Sequence, residues 1–497
     1  MQPVKGSYFL TWILISVFST CVISFIPSDN YLVDCGSSGN TTVGARLFVG
    51  DANLLSKTLS TPAHIMASTN SNLVISSEYS TLYQTARIFT SLSYYSFQIK
   101  QQGRHFIRLH FYPFVYQIYD LANAKFNVST QDIALLTDFQ LKNNSSPILK
   151  EYLVNITKDK LIIFFRPFSD LAFVNAIEVV SAPDTLIIDL ATAINPVGQY
   201  TGLSTQALET VYRVNMGMPK VTPDNDTLWR TWVPDTSFIQ NKTFVRWKST
   251  WDQLNYMPGL VTEETAPPIV YNTATELALL NETTTGARFN ITWQFDLQEG
   301  YTYMLRFHFC DVVSNSANQL VFDVYVGPWA VLTDFDIYGS LATPYFEDFI
   351  LSAKDTTSKL SISIGPSKTV SVQPDGILNG LEIFKFNNIS SHNDAGSRVS
   401  LVIVLGIVVV AIISFVIIVL VGKRQLEKKR HLKMCRRSTI KNTVPYQNGD
   451  LSYRFMLSEL QEATHNFDEN WVIGVGGFGS SPPLLKGRMS KSCWNLS

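Results

Sequence analysis

The sequence predicts a mostly β protein: two tandem β-sandwich domains, one transmembrane helix and a short cytoplasmic stub. Three observations predict it. The region 28–387 contains one unit written twice, an uncharged apolar segment occupies 399–421, and Asn-x-Ser/Thr sites crowd on one side of that segment.

The repeat is visible as paired motifs in the same order. Tyr31-Leu-Val-Asp-Cys-Gly36 parallels Tyr212-Arg-Val-Asn-Met-Gly217, and Tyr83-Gln-Thr-Ala86 parallels Tyr271-Asn-Thr-Ala274. Ile107-Arg-Leu-His-Phe111 parallels Leu305-Arg-Phe-His-Phe309, and Leu136-Thr-Asp-Phe139 parallels Leu332-Thr-Asp-Phe335. Asn175-Ala-Ile-Glu-Val179 parallels Asn379-Gly-Leu-Glu-Ile383. The offset drifts from 181 to 204 residues, as loop insertions produce, and each unit is too long for a solenoid repeat. The division is a first domain over 28–182, a connector over 183–205 that packs in part between the domains, and a second domain over 206–387.

Local patterning argues for strands inside each unit. Lys359-Leu-Ser-Ile-Ser-Ile364 alternates apolar and polar residues, the period of a half-buried strand. Leu161-Ile-Ile-Phe-Phe165 and Leu320-Val-Phe-Asp-Val-Tyr-Val326 are β-branched and aromatic, suited to a sheet core. Gly, Pro, Asn and Ser punctuate these runs, and sustained helical periodicity is scarce, so each unit reads as a sandwich.

Two hydrophobic segments set the topology. Residues 1–26 carry Lys5 and then an apolar run from Tyr8 to Ile26, the form of a secretory signal with cleavage between Cys21 and Pro27. Residues 399–421 hold no charge and are long enough, at about 1.5 Å per residue, to cross a hydrocarbon core of about 30 Å. A juxtamembrane stretch, 388–398, precedes them. The following 422–452 is basic, with Lys423, Arg424, Lys428, Lys429, Arg430, Lys433, Arg436 and Arg437, which keeps the C-terminal side in the cytoplasm. Ten sequons agree: Asn40, Asn127, Asn143, Asn144, Asn155, Asn225, Asn241, Asn281, Asn290 and Asn388 all precede the span, and only Asn495 follows it. The expected location is the plasma membrane, single-pass type I, N-terminus outside.

Composition narrows the chemistry. With 39 Lys+Arg against 40 Asp+Glu there is no nucleic-acid signal. Five cysteines without a Cys-x-x-Cys spacing, and seven histidines without a spaced ligand set, point to no metal and no cofactor in this chain. Of the cysteines, Cys35 and Cys310 fall in the mature ectodomain, either paired or as two buried thiols. His110 and His308 occupy equivalent strand positions, which favours a shared structural role. An aromatic loop, Tyr112, Phe114, Tyr116 and Tyr119, offers a platform for a sugar or peptide, or else packs the sandwich edge. The six ectodomain tryptophans all lie in or just before the second unit. No Asp/Glu pair for glycoside hydrolysis stands out, and no catalytic residue is assigned.

Several motifs together resemble a known family. They are Asp34-Cys-Gly36, Tyr83-Gln-Thr-Ala-Arg87, Arg104-His-Phe-Ile-Arg-Leu-His-Phe111, Phe173-Val-Asn-Ala-Ile-Glu-Val179, Glu209-Thr-Val-Tyr-Arg-Val-Asn-Met-Gly217, Ala266-Pro-Pro-Ile-Val-Tyr271, His308-Phe-Cys310 and Asn379-Gly-Leu-Glu382. The paired units resemble the tandem malectin-like domains of plant receptor-like kinases of the Catharanthus roseus type, the group that includes Feronia and Theseus, with first-unit wording nearest the Theseus subgroup. The resemblance covers about residues 28–479. It implies a cell-surface receptor that senses a secreted peptide with a lipid-anchored co-receptor, or a cell-wall glycan.

The cytoplasmic part resembles the start of that family's kinase domain over 453–479. Ser458-Glu-Leu-Gln461 has the form of a capping box, with Ser458 as the cap and a helix running through Glu462 and Ala463. Gly474, Gly476 and Gly479 then stand in G-x-G-x-x-G spacing, the loop whose amides cover ATP phosphates. The resemblance implies ATP and Mg as cofactors of the full-length family. The tail 480–497 departs from the family: it reads Ser480-Ser-Pro-Pro-Leu-Leu-Lys-Gly487, and Pro482-Pro483 removes two strand amides. No Val-Ala-x-Lys, His-Arg-Asp or Asp-Phe-Gly follows, so the chain as written lacks phosphoryl-transfer machinery. The tail reads as a splice variant, frameshift or gene-model error, or as a true truncated isoform. Three functions follow: a receptor with the kinase core missing, able to act as a decoy or in a heteromer with full-length relatives; a fragment of an active receptor serine/threonine kinase; or a wall-binding lectin-like anchor.

Overall fold

The structure is a computed structural model and describes residues 25–54, 58–69, 78–141, 146–168, 170–251, 253–257, 259, 261–277, 290–316, 319–337, 341–367, 376–387, 457–463, 466, 474–476 and 479–481. Outside the described residues lie 1–24 of the expected signal, the segments 388–398, 399–421 and 422–452, all of the tail beyond 481, and the sequons Asn143, Asn144, Asn281 and Asn388. Among the described residues no helix is long and apolar enough to cross a membrane.

The chain forms two compact units, 1–394 and 395–497. In the first, the expected strands appear where alternation places them. Lys359–Pro366 and Lys160–Pro167 bury every second side chain near their starts, and Val321–Val326 pairs with both its neighbours. Each repeat packs a smaller sheet against part of a large one. The first repeat's smaller sheet has five strands and holds Lys160–Pro167, and the second's has four and holds Lys359–Pro366. Between the layers lie two separate cores, one around Phe48, Ile107, Phe126 and Phe165, the other around Trp293, Phe307, Phe322 and Ile362.

The repeats differ from two domains joined by a linker, because they share one sheet. Ile148–Ile156 of the first pairs antiparallel with Ala207–Asn215 of the second, Tyr152 opposite Glu209, so thirteen strands run through both. The connector 183–205 contributes both strands and packing. Its Leu190–Ala193 and Gly198–Thr201 extend this sheet beyond Tyr345–Leu351. Its Leu186, Ile187, Ala191 and Leu203 cover Phe106, Leu153, Leu208, Met304 and Ile350 in a third core, on the sheet face opposite the two sandwich interiors. Strand alternation explains this second face: Ile107 and Leu109 point into the sandwich, while Phe106 and Arg108 point away.

In the second unit a helix covers Leu457–Ala463, so Ser458 lies inside the first turn and is not the cap that the sequence suggests. Gly474–Gly476 pairs antiparallel with Gly479–Ser481, Gly476 opposite Gly479.

Candidate functional site

The repeated motifs converge on two equivalent polar pins inside unit 1. Tyr83 Oη lies 3.2 Å from His110 Nδ1, and His110 Nε2 lies 2.9 Å from Glu178 Oε1. In the second repeat Tyr271 Oη lies 2.8 Å from His308 Nδ1, and His308 Nε2 lies 3.3 Å from Glu382 Oε2. Burial raises the Tyr271 phenol, so it stays protonated, and burial pushes the His308 imidazole below its usual range against the pull of Glu382. Burial alone would raise Glu382, but Arg213 and His308 hold it far below the carboxylate range. An ionised glutamate only accepts, so Nε2–H donates to it, and the neutral ring takes the phenol proton's hydrogen bond on Nδ1. Both histidines are fully buried, so the pins present no reacting atom to solvent. They fix the fold.

Each pin is braced by an asparagine and a glycine. Asn175 Oδ1 accepts from the Tyr112 amide at 2.7 Å, and Asn379 Oδ1 accepts from the Cys310 amide at 2.7 Å. Gly36 (φ +77°) and Gly217 (φ +86°) sit where a Cβ would lie 2.1 Å from the Ala86 carbonyl oxygen and 2.3 Å from that of Ala274. Only glycine tolerates both that backbone and that approach. Cys35 and Cys310 are separate buried thiols, so the two-thiol alternative is the observed one.

A row of buried charge crosses the shared sheet on its covered face, roughly one residue per strand. Arg46 Nη2 meets Glu178 Oε2 at 2.7 Å, and Arg108 bridges Glu178 (3.1 Å) and Glu151 (2.6 Å). Arg213 bridges Glu151 (2.8 Å) and Glu382 (2.6 Å), and Arg306 meets Asp348 at 2.7 Å. Four arginines face four carboxylates, which is what burial requires. A bulge makes the crossing possible. The register shifts between Thr210 and Tyr212, which turns Arg213 onto the face where Thr210 Oγ1 already donates to Glu151 Oε1 at 2.7 Å. The cover is tied down by the same arginines: Arg108 donates to Leu228 O at 2.8 Å and Arg306 to Leu186 O at 2.8 Å. Trp229 stacks on Arg46 at 4.8 Å while Trp232 packs edge-on to His308 at 5.4 Å, so two tryptophans three residues apart serve opposite repeats.

The surface holds the ligand candidates. Of the aromatic loop, Tyr112 and Phe114 are buried in the first core, and Tyr116 and Tyr119 half-bury against it. Tyr112 and Phe114 therefore follow the packing alternative, not the platform, and offer no ring face to a ligand. The hairpin of Val115–Tyr116 and Tyr119–Asp120 instead exposes Val115 (68%) and Ile118 (88%), residues that an aromatic search passes over. Sequence reading also missed a cleft of about 680 Å³ between the large sheet and the five-stranded one. Tyr31, Leu47, Tyr94 and Phe97 give it an apolar lining, and Asn30, Gln98 and Lys160 add polar groups. Among the sequon asparagines described, Asn40, Asn155, Asn225, Asn241 and Asn290 are exposed. Asn127 is half-buried, and its Oδ1 accepts from the Asp138 amide at 2.8 Å.

Comparisons with known proteins bear on the whole of unit 1. The family model described as a malectin-like domain matches residues 33–386. Receptor-like protein kinase HERK 1 of Arabidopsis thaliana is 40% identical over 514 residues, covering 97% of this chain and 60% of the relative. Receptor-like protein kinase THESEUS 1 of the same plant is 41% identical over 394 residues, covering 77% of this chain and 45% of the relative. The chain thus spans 60% or less of the length of these curated relatives. A solved structure of the plant peptide RALF23 in complex with FER and LLG2 matches with a TM-score of 0.63 and 29% identity, over 73% of this chain and 96% of the matched one. Fold, repeat motifs and relatives agree, and the chain belongs to the malectin-like family of plant receptor-like kinases of the Catharanthus roseus type.

Proposed function

We propose that this chain is a single-pass plasma-membrane receptor whose unit 1, outside the cell, binds a secreted peptide together with a lipid-anchored co-receptor. The observation that carries this reading is the likeness of unit 1, over nearly its full length, to a receptor chain solved with a peptide and a second protein. A secretory signal within 1–26, cut between Cys21 and Pro27, the span over 399–421 and glycosylation on the ectodomain asparagines belong to the same reading. Exposure of Asn40, Asn155, Asn225, Asn241 and Asn290 supports the last. A second reading, a cell-wall glycan, is favoured by the cleft, whose mixed apolar and amide lining suits a sugar. The full chain displayed on cells and challenged with labelled RALF23 and with a wall-glycan array separates the two. Peptide binding without glycan binding supports the first, and the reverse supports the second.

Inside the cell we place the start of a kinase domain, with Gly474, Gly476 and Gly479 as its glycine loop and ATP with Mg as cofactors of a complete kinase. Reading the transcript past the codon for Gly479 decides whether the chain signals through its own catalytic core or only through a full-length partner. A continuous frame into a Val-Ala-x-Lys strand supports an active serine/threonine kinase.

A further inference from the structure

The sequence leaves two bonds open for removal of the signal. Signal cleavage needs a small residue on its N-terminal side. Between Cys21 and Pro27 only Cys21 and Ser24 are small, since Val22, Ile23, Phe25 and Ile26 are bulky. Ser19 stands at −3 to the bond after Cys21 and Val22 at −3 to the bond after Ser24, so sequence alone does not choose the second bond.

The structure does. The Phe25 backbone nitrogen lies 3.2 Å from Glu264 Oε1, across 239 residues of chain. The Phe25 ring packs against the third core, while its neighbour Ile26 is 80% exposed. Phe25 is therefore held at both its ring and its nitrogen, and the next residue is free. Among the described residues no Lys or Arg forms an ion pair with Glu264. A half-buried carboxylate that faces a single backbone nitrogen is short of a cation.

We infer that the chain is cut between Ser24 and Phe25, and that the α-ammonium so formed ion-pairs with Glu264 and fastens the mature N-terminus to the receptor body. The step is hydrolysis by an endopeptidase of the secretory route. Water adds across the Ser24–Phe25 amide; Ser24 leaves with the new carboxylate, and the Phe25 nitrogen gains protons to become ammonium. The neutral N–H···O bond becomes charge-assisted and stronger. A cut after Cys21 would place the charge three residues away and leave Glu264 with an amide. The inference rests on the secretory-signal reading above, and deepens it.

The test is the first residue of the full chain made in a secretory host, found by labelling free α-amines before digestion and mass spectrometry. Phe25 in first place is the expected result. A start at Val22, or at any other residue near the expected cut, overturns this bond but leaves the signal intact. Retention of Met1 overturns both. The ion pair has its own test in thermal unfolding of the full chain. Glu264→Ala is expected to lower the midpoint of the Phe25-first chain by about 1–2 °C, and to change nothing when Phe25 is deleted behind the same leader. A silent Glu264→Ala in the Phe25-first chain overturns the pair.

Discussion

Arg213 Nη1 lies 2.8 Å from Glu151 Oε1, and this contact joins the two repeats at the centre of their common sheet. Each partner is held again on its own side, Arg213 by Glu382 and Glu151 by Arg108. The pair is thus the middle link of a charge row, with both neighbours fully buried. Removing one member strands charge with no route to water. Glu151→Ala is expected to cost about 3–5 kcal/mol. In urea unfolding the midpoint falls, and the slope stays unchanged if unfolding remains two-state.

The same row sets an acid limit. Burial by itself would raise Glu151, but Arg213 and Arg108 hold it down to about 2, against an unfolded value near 4.5. Glu178 and Glu382 are likewise held below their ordinary range by arginine and histidine neighbours, against the upward push of burial. Between the two values the unfolded chain binds protons that the folded chain does not, so stability rises with pH through that window. Stability from these groups is therefore complete above about pH 4.5 and is lost as pH falls toward about 2. His308, depressed by burial, adds a loss that begins earlier, as pH falls below its ordinary 6.5. Unfolding midpoints recorded from pH 7 to pH 3 check this, and Glu151→Gln should shallow the acid limb.

Gly36→Ala and Gly217→Ala test the pins from the backbone side. Each puts a methyl within 2.3 Å of a carbonyl oxygen and forces a left-handed residue. A loss of at least about 2 kcal/mol is expected for each. Gly202→Ala is the useful contrast: it is also left-handed, but nothing lies within 4 Å of its Cβ, so only the backbone penalty of about 1 kcal/mol remains.

The aromatic loop separates packing from surface. Tyr112→Ala empties part of the first core and should cost about 3–5 kcal/mol, while Ile118→Ala at the hairpin tip should stay within about 0.5 kcal/mol. Chemical denaturation of the two variants measures the difference.

Legibility in the sequence followed the range of the interaction. The strands were readable because alternation is local, and the paired His110 and His308 because the same residues recur in the same order. The arginines and glutamates of the row were also inside those repeated motifs: Arg108 with Arg306, Glu178 with Glu382. A charge that recurs within a buried-strand motif was an available sign of a buried pair. Which charge meets which was not readable, because Arg213 and Glu382 are 169 residues apart and Arg213 reaches Glu151 only through a bulge. The shared sheet was hidden for a related reason. A connector rich in turn residues reads as packing in part between the domains, and only the tertiary fold shows that it supplies the last two strands at one end of the sheet and the cover of a third core. Aromatic spacing in the loop left platform and packing both open because sequence does not show which ring faces the core.

The proposed role of unit 1 as a peptide-sensing ectodomain is tested most plainly by direct titration. The full chain in lipid nanodiscs is titrated with synthetic RALF23, alone and with LLG2 present. Saturable binding with a Kd below about 1 µM, tightened by the second protein, is the expected result. Absence of binding up to about 100 µM in both titrations, with the chain folded by its unfolding midpoint, would contradict it.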